Sequence, residues 1–275
     1  MEHPARPALI NVVLLIFFST SALGAASNEI DAMVDPVVKG RAIAEEADRR
    51  DNGYGDSEAR MHMILRNARG QESTRELRVK SWENSEDDGY DRGLIVFDHP
   101  RDVSGTALLT HANPGGDDDQ WLYLPASARV KRISGSNQTG SFMGSEFSFE
   151  DFSSNSLEKF AYKWMRDESC GELECWVLER KPVNPNSGYI RQVAWVDKEA
   201  FRLQRVDFYD KREERLKTLT IEDYRLHMGK FWRGHLLTMK NYLTNKSTIL
   251  TWKEIKFRTG LGENDFTQGA LKRAR

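Results

Sequence analysis

The chain has 275 residues, of which 39% are hydrophobic and 10% aromatic, enough to fill a core, so intrinsic disorder is excluded. Its 40 Lys and Arg against 42 Asp and Glu leave a formal net charge of −2, which excludes nucleic acid as a partner, because phosphate binding needs a basic excess.

The N-terminus has the order of an export signal: Arg6, an apolar run from Leu9 to Leu23, then the small residues Gly24-Ala25-Ala26. Residues 1–26 are expected to be a cleaved signal peptide that exports a mature chain, residues 27–275, long enough for one β-rich domain or two smaller ones. The apolar run is too short, and too polar at Ser19, Thr20 and Ser21, for a membrane span of about 20 residues. An uncleaved anchor is the alternative. No later segment is apolar enough to span a bilayer, and the absence of a nearby Cys excludes a lipid-modified N-terminus.

Asp35 as cap and Pro36 at the first helical position predict a helix over Val37 to Arg50. Val38, Ile43 and Ala47 form its expected apolar stripe, which Gly40 weakens. Asn52-Gly53-Tyr54-Gly55 ends it.

Strands follow. Met61, Met63 and Leu65 alternate, and in Arg75 to Trp82 the apolar Leu77 and Val79 lie opposite Glu76, Arg78 and Lys80. Further strands are predicted over residues 93–97, 105–110, 120–124, 129–133, 161–166, 173–180, 189–197, 201–209, 215–226, 231–243 and 248–257. Turn residues separate them, among them Asp88-Gly89, Pro114-Gly115-Gly116, Met228-Gly229-Lys230 and Asn245-Lys246-Ser247. The class is mainly β with few helices, an antiparallel meander or barrel. Trp121-Leu122-Tyr123-Leu124 is apolar on both faces, as for a strand with one face in a cavity and the other under a helix. In 201–209 the apolar phase switches between Leu203 and Val206, which a bulge would produce.

Ser134 to Ser156 is rich in Ser, Gly and Asn yet carries Phe142, Met143, Phe147, Phe149 and Phe152. Burial of one Phe is worth about 1.5–3 kcal/mol, so these side chains must be covered, in the core or as a lid over a pocket. Cys170 and Cys175 are expected to form a structural disulfide pinning a turn; a redox or metal pair is the rival. The basic run Arg129 to Arg132 reads equally as a contact for anionic groups or as a charged strand edge.

No catalytic constellation is present. His62, His99, His111, His227 and His235 have no metal-ligand spacing. Asp117-Asp118-Asp119 reads as a solvated turn, and Glu146, Glu150 and Asp151 as loop solvation. No metal, no cofactor and no enzymatic activity are expected.

The stretch WLYLPASARVKRISGSNQTGSFMGSEFSFEDF, Trp121 to Phe152, resembles the signature of the outer-membrane lipoprotein-sorting family related to the carrier LolA. Glu146, Phe149 and Phe152 stand where that signature has Asp, Tyr and Leu. The resemblance implies a strongly curved antiparallel sheet forming an incomplete β-barrel, with a helix and loop lid over an apolar cavity. It implies a single domain over residues 27–275 in the periplasm, lipid or acylated protein as cargo, and an inner-membrane exporter of the resistance-nodulation-division type as a partner. The expected lid residues are Phe142, Met143, Phe147, Phe149 and Phe152, and the expected cavity wall is Leu77, Val79, Trp121 and Tyr123. The alternatives are an adaptor that docks on such an exporter without its own ligand, and an envelope hydrolase.

Overall fold

The computed structural model describes residues 21–83, 91–113 and 115–274, with only the backbone for 21–25. Most of the expected export signal, the Asp88-Gly89 turn and Pro114 lie outside the described residues.

All of the predicted strands are present. They are β1 (Asp56–Arg66), β2 (Glu72–Trp82), β3 (Arg92–His99), β4 (Ala107–His111), β5 (Asp119–Leu124), β6 (Arg129–Ile133), β7 (Phe160–Cys170), β8 (Leu173–Pro182), β9 (Arg191–Asp197), β10 (Leu203–Tyr209), β11 (Arg215–His227), β12 (Phe231–Asn241) and β13 (Ser247–Phe257). They form one antiparallel sheet in the order β6-β5-β4-β3-β2-β1-β13-β12-β11-β10-β9-β8-β7. Each strand pairs with the next in sequence, with two exceptions. The first and last strands pair, Met63 facing Leu250, and β6 and β7 are the two free edges. The gap in the barrel therefore falls at mid-chain, where residues 134–159 run from one edge to the other. The basic run lies on edge strand β6, with Arg132 paired to Asp119 and Ile133 turned into the core.

The curvature follows from packing. One cluster joins Met63 of β1, Phe97 of β3 and Leu122 of β5 with Ala194 of β9 and Phe208 of β10. Strands that far apart in the order meet only if the sheet wraps around their common side chains. The bulge predicted near Leu203 is present: the β9–β10 register shifts between Leu203 and Arg205. It brings Leu203 onto the inner face with Val206 and Phe208.

Three α-helices lie among the described residues: α1 (Ser21–Asp31), α2 (Pro36–Asp51) and α3 (Gln268–Arg273). Asp35 caps α2 as expected, accepting from the backbone N–H of Val37 and Val38 at 2.8 and 3.0 Å. The stripe differs from expectation. Val38 is 56% exposed, while Gly40 and Ile43 face inward. Gly40 does not merely weaken the helix: a Cβ there would lie 2.6 Å from the Trp164 backbone nitrogen, so glycine lets α2 rest directly on β7. Neither α1 nor α3 was predicted. Asp31 at the end of α1 accepts from the Trp176 indole at 2.7 Å and pairs with Lys198 at 3.1 Å. Those partners hold its carboxyl below the usual range against the opposing effect of burial.

Cys170 and Cys175 are disulfide-bonded with Cα atoms 5.9 Å apart, across the turn joining β7 and β8. Among the described residues no helix is long and apolar enough to cross a membrane, which says nothing of membrane-spanning strands.

Candidate functional site

Residues 134–159 are built into the molecule through their rings and their acids. Phe142 is fully buried, 5.5 Å from Phe97, 5.6 Å from Phe149 and 4.6 Å from Phe152 between ring centroids. These are attractive aromatic separations. Met143 and Gly144 both take positive φ, 51° and 79°, closing a turn in which the Phe142 N–H donates to the Phe147 carbonyl at 2.7 Å. The Arg75 guanidinium donates to the Met143 carbonyl.

The acids read as surface groups are structural. Asp118 is buried, accepts from the Asn113 and Ser154 backbone at 2.8 and 2.6 Å, and pairs with Lys159. Asp151 pairs with Lys217, both nearly inaccessible, and accepts from the Tyr189 hydroxyl at 2.7 Å. Glu150 accepts from Ser187 and from the Gly188 N–H; its burial outweighs those bonds and raises its pKa. Glu146 accepts from Asn241 at 2.7 Å. Their sequence neighbours carry no hint of these partners, because Lys217 is 66 residues from Asp151 and Lys159 is 41 from Asp118.

Beneath these covers the inner face lines a half-open hollow with two lobes. The helix lobe, about 950 Å³, lies between Ala44 and Ala47 of α2 and the sheet, with Ala59, Val79, Val196 and Trp232 in its wall. The segment lobe, about 640 Å³, lies under Phe147 and Phe152, with Val206, Leu219, Met239 and Leu250 in its wall. Asn155, Arg180, Leu203, Ile221, Leu237 and Trp252 border both, so the lobes adjoin. Both are mainly apolar, and each lies within the roughly 300–1,000 Å³ of small-molecule pockets.

The expected site residues divide accordingly. Phe147 and Phe152 border the segment lobe and Val79 the helix lobe. Phe142, Phe149 and Leu77 are buried in the core behind them, and Met143 packs partly buried against it. Trp121 and Tyr123 are on the other face of the sheet, with Phe266 and Leu271 at the C-terminus, so they do not line the hollow. Their neighbours Leu122 and Leu124 face inward. This strand is apolar on both faces because both are covered, and the inward face cannot be chosen from the pattern. The shared wall of Leu203, Ile221, Leu237 and Trp252 was not singled out, although alternation along β11 to β13 carries it. Arg180 was also missed; its signal is the shared strand face with Trp176 and Leu178.

His227 and His235 bring Nε2 atoms to 3.0 Å, and His111 bonds the Phe266 carbonyl at 2.6 Å. Burial leads the causes that lower the pKa of His111 and His227. Among the described residues no group of three or more His, Cys, Asp or Glu side chains is placed to hold a metal.

A family model described only as an uncharacterized protein matches residues 89–273. No curated protein matches the chain. A solved domain from Vibrio parahaemolyticus, named for outer-membrane lipoprotein sorting, is 50% identical, with a TM-score of 0.83 over 86% of this chain and 100% of that one. A DUF1329 family protein from Desulfovibrio piger is 32% identical, with a TM-score of 0.82 over 86% of this chain and 100% of that one. A LolA superfamily protein from Nitrosomonas europaea, 20% identical over 86% of this chain and 100% of that one, shares the fold at a TM-score of 0.68. The open thirteen-stranded sheet, its mid-chain gap and identity sustained over the whole length of two relatives place the chain in the family of the outer-membrane lipoprotein-sorting and DUF1329 proteins, built on the LolA-like fold.

Proposed function

We propose that the protein is a non-enzymatic periplasmic carrier or accessory protein that holds lipid, or the acyl chains of lipid-modified cargo, in the two-lobed hollow. The observation that carries this reading is the continuous apolar wall from Val79 and Val196 through Leu203, Ile221, Leu237 and Trp252 to Phe147 and Phe152. Each methylene moved from water into such a wall gains about 0.8 kcal/mol, so a long acyl chain gains on the order of 10 kcal/mol. Phe142, Phe149 and Leu77 support that wall from behind. Met143 fastens the turn beside it. The lipoprotein-sorting name of the half-identical relative agrees with such cargo.

Residues 1–26 act in this reading as the export signal. Periplasmic location suits both the disulfide, which persists in oxidising compartments, and a carrier that crosses an aqueous space. An inner-membrane exporter of the resistance-nodulation-division type is the membrane partner that the sequence resemblance implies.

Mass spectrometry of lipid extracted from the natively purified protein tests the reading directly. Lipid in stoichiometric amount, together with uptake of a fluorescent fatty acid that Leu237→Asp abolishes without unfolding the protein, is the expected result. A lipid-free protein that takes up no fatty acid would overturn it and leave the exporter-docking adaptor.

A further inference from the structure

The helix lobe is rimmed by cations, and all but one have a carboxylate or backbone-carbonyl partner. Arg49 and Arg50 each pair with Glu46 at 2.7 Å, and Arg202 with Asp197 at 2.8 Å. Arg233 pairs with Asp51, and the Lys230 ammonium donates to the Asn52 carbonyl at 2.6 Å. Arg180 is the exception. It stands on β8 where the two lobes adjoin, its guanidinium 4.3 Å above the Phe160 ring. One Nη donates to the Asn155 side-chain oxygen at 3.2 Å, while the buried Nε has no acceptor. Among the described residues no carboxylate lies within ion-pair range of it. Burial draws its pKa down from the ordinary guanidinium value, with Tyr162 opposing.

Arg180 is half-buried, with its Nε withdrawn from water, and a guanidinium partly desolvated without a counter-charge is unfavourable; the described residues place none within ion-pair range. Its planar fork fits a carboxylate or phosphate, and the Phe160 ring supports it from one side. The hydrocarbon walls begin on either side of it, at Leu178 in the helix lobe and Leu203 in both. We infer that Arg180 receives the negatively charged head group, carboxylate or phosphate, of an amphiphile whose hydrocarbon occupies the adjoining lobes. This deepens the carrier reading and rests on it. It narrows the cargo from any apolar molecule to an anionic lipid, and gives the bound chain a fixed end.

The test compares oleate with oleyl alcohol, which share a chain and differ in charge, by calorimetric titration of the full-length mature protein. Wild type should prefer oleate by about tenfold or more, as for one charge-assisted pair. Arg180→Gln should lose that preference while binding the alcohol as wild type does, and Arg180→Lys should keep part of it. Inorganic phosphate alone should not displace oleate. Equal affinity of wild type for both probes would overturn the inference while leaving the carrier reading intact, and needs no variant to fold. A preference that survives in Arg180→Gln, or oleate displaced by inorganic phosphate, would also overturn it. Failure of wild type to bind either probe would overturn the carrier reading as well.

Discussion

Helix α2 and residues 134–159 both roof the inner face, but they are attached by different physics. The segment is fastened through its backbone and its buried acids. The Glu146 N–H donates to Thr248 on β13, Gln120 on β5 donates to the Phe149 carbonyl at 3.0 Å, Asp151 pairs with Lys217 on β11, and Ser154 donates to Asp118. Its rings then complete the core. The helix rests on one close backbone approach at Gly40 and the buried side chains of Ile43 and Lys39, the latter paired with Asp31, and its C-terminal turn is tied by partly exposed polar pairs such as Arg233 with Asp51. Surface pairs of that kind contribute little, typically about 0–1 kcal/mol. The segment therefore belongs to the global unfolding unit, and the helix is the cover with the lower cost of local opening. A Gly- and Ser-rich composition reads as a flexible lid, yet here it supplies the tight turns that let five large side chains pack.

That contrast can be broken at three points. The largest effect is expected for Asp151→Ala, which leaves Lys217 buried without its counter-charge. Loss of one partner of a buried pair costs about 3–5 kcal/mol, and thermal unfolding of the whole sheet should fall with it. If only local exchange near residue 151 changes, the segment is not part of the global unit. Gly40→Leu comes next. The new side chain meets the backbone of Lys163 and Trp164, and overpacking costs about 1–3 kcal/mol. Hydrogen exchange should rise in α2 and stay unchanged in 141–152; equal change in both would show that the two covers open together. Asp35→Ala is the mildest, because it removes only the cap of the first helical turn. It should speed entry of a fluorescent fatty acid while barely moving the unfolding temperature, and Asp35→Asn should restore the wild-type rate. An unchanged entry rate would mean that cargo does not pass beneath α2.

The legible parts of this fold are those set by neighbours in sequence. Alternation marked the strands, turn residues marked their ends, the phase switch at Leu203 marked a bulge, and Asp35-Pro36 marked a helix start. The pairing of β1 with β13 was not legible, since nothing local in Met61 to Leu65 specifies a partner nearly two hundred residues away. Nor were the buried acids, whose counter-charges come from distant strands, nor the inward face of Trp121 to Leu124. Gly40 shows the same limit. Its propensity alone argues against a helix, and only the packed strand reveals its use. The site was half legible: aromatic residues in a polar segment announced a covered region, but the wall they cover is assembled from distant strands, β2 and β9 to β13 among them.

The pairing of the first and last strands has a consequence for biosynthesis. Without β13 the sheet is two separate meanders, β1 to β6 and β7 to β12, each joined only to sequence neighbours. Both can form as they emerge during synthesis, but no backbone ladder joins them until the final strand inserts between them. A nascent chain stalled before Ser247 would expose two unsatisfied sheet edges at once, so the C-terminal strand is where chaperone dependence and aggregation of unfinished product should concentrate.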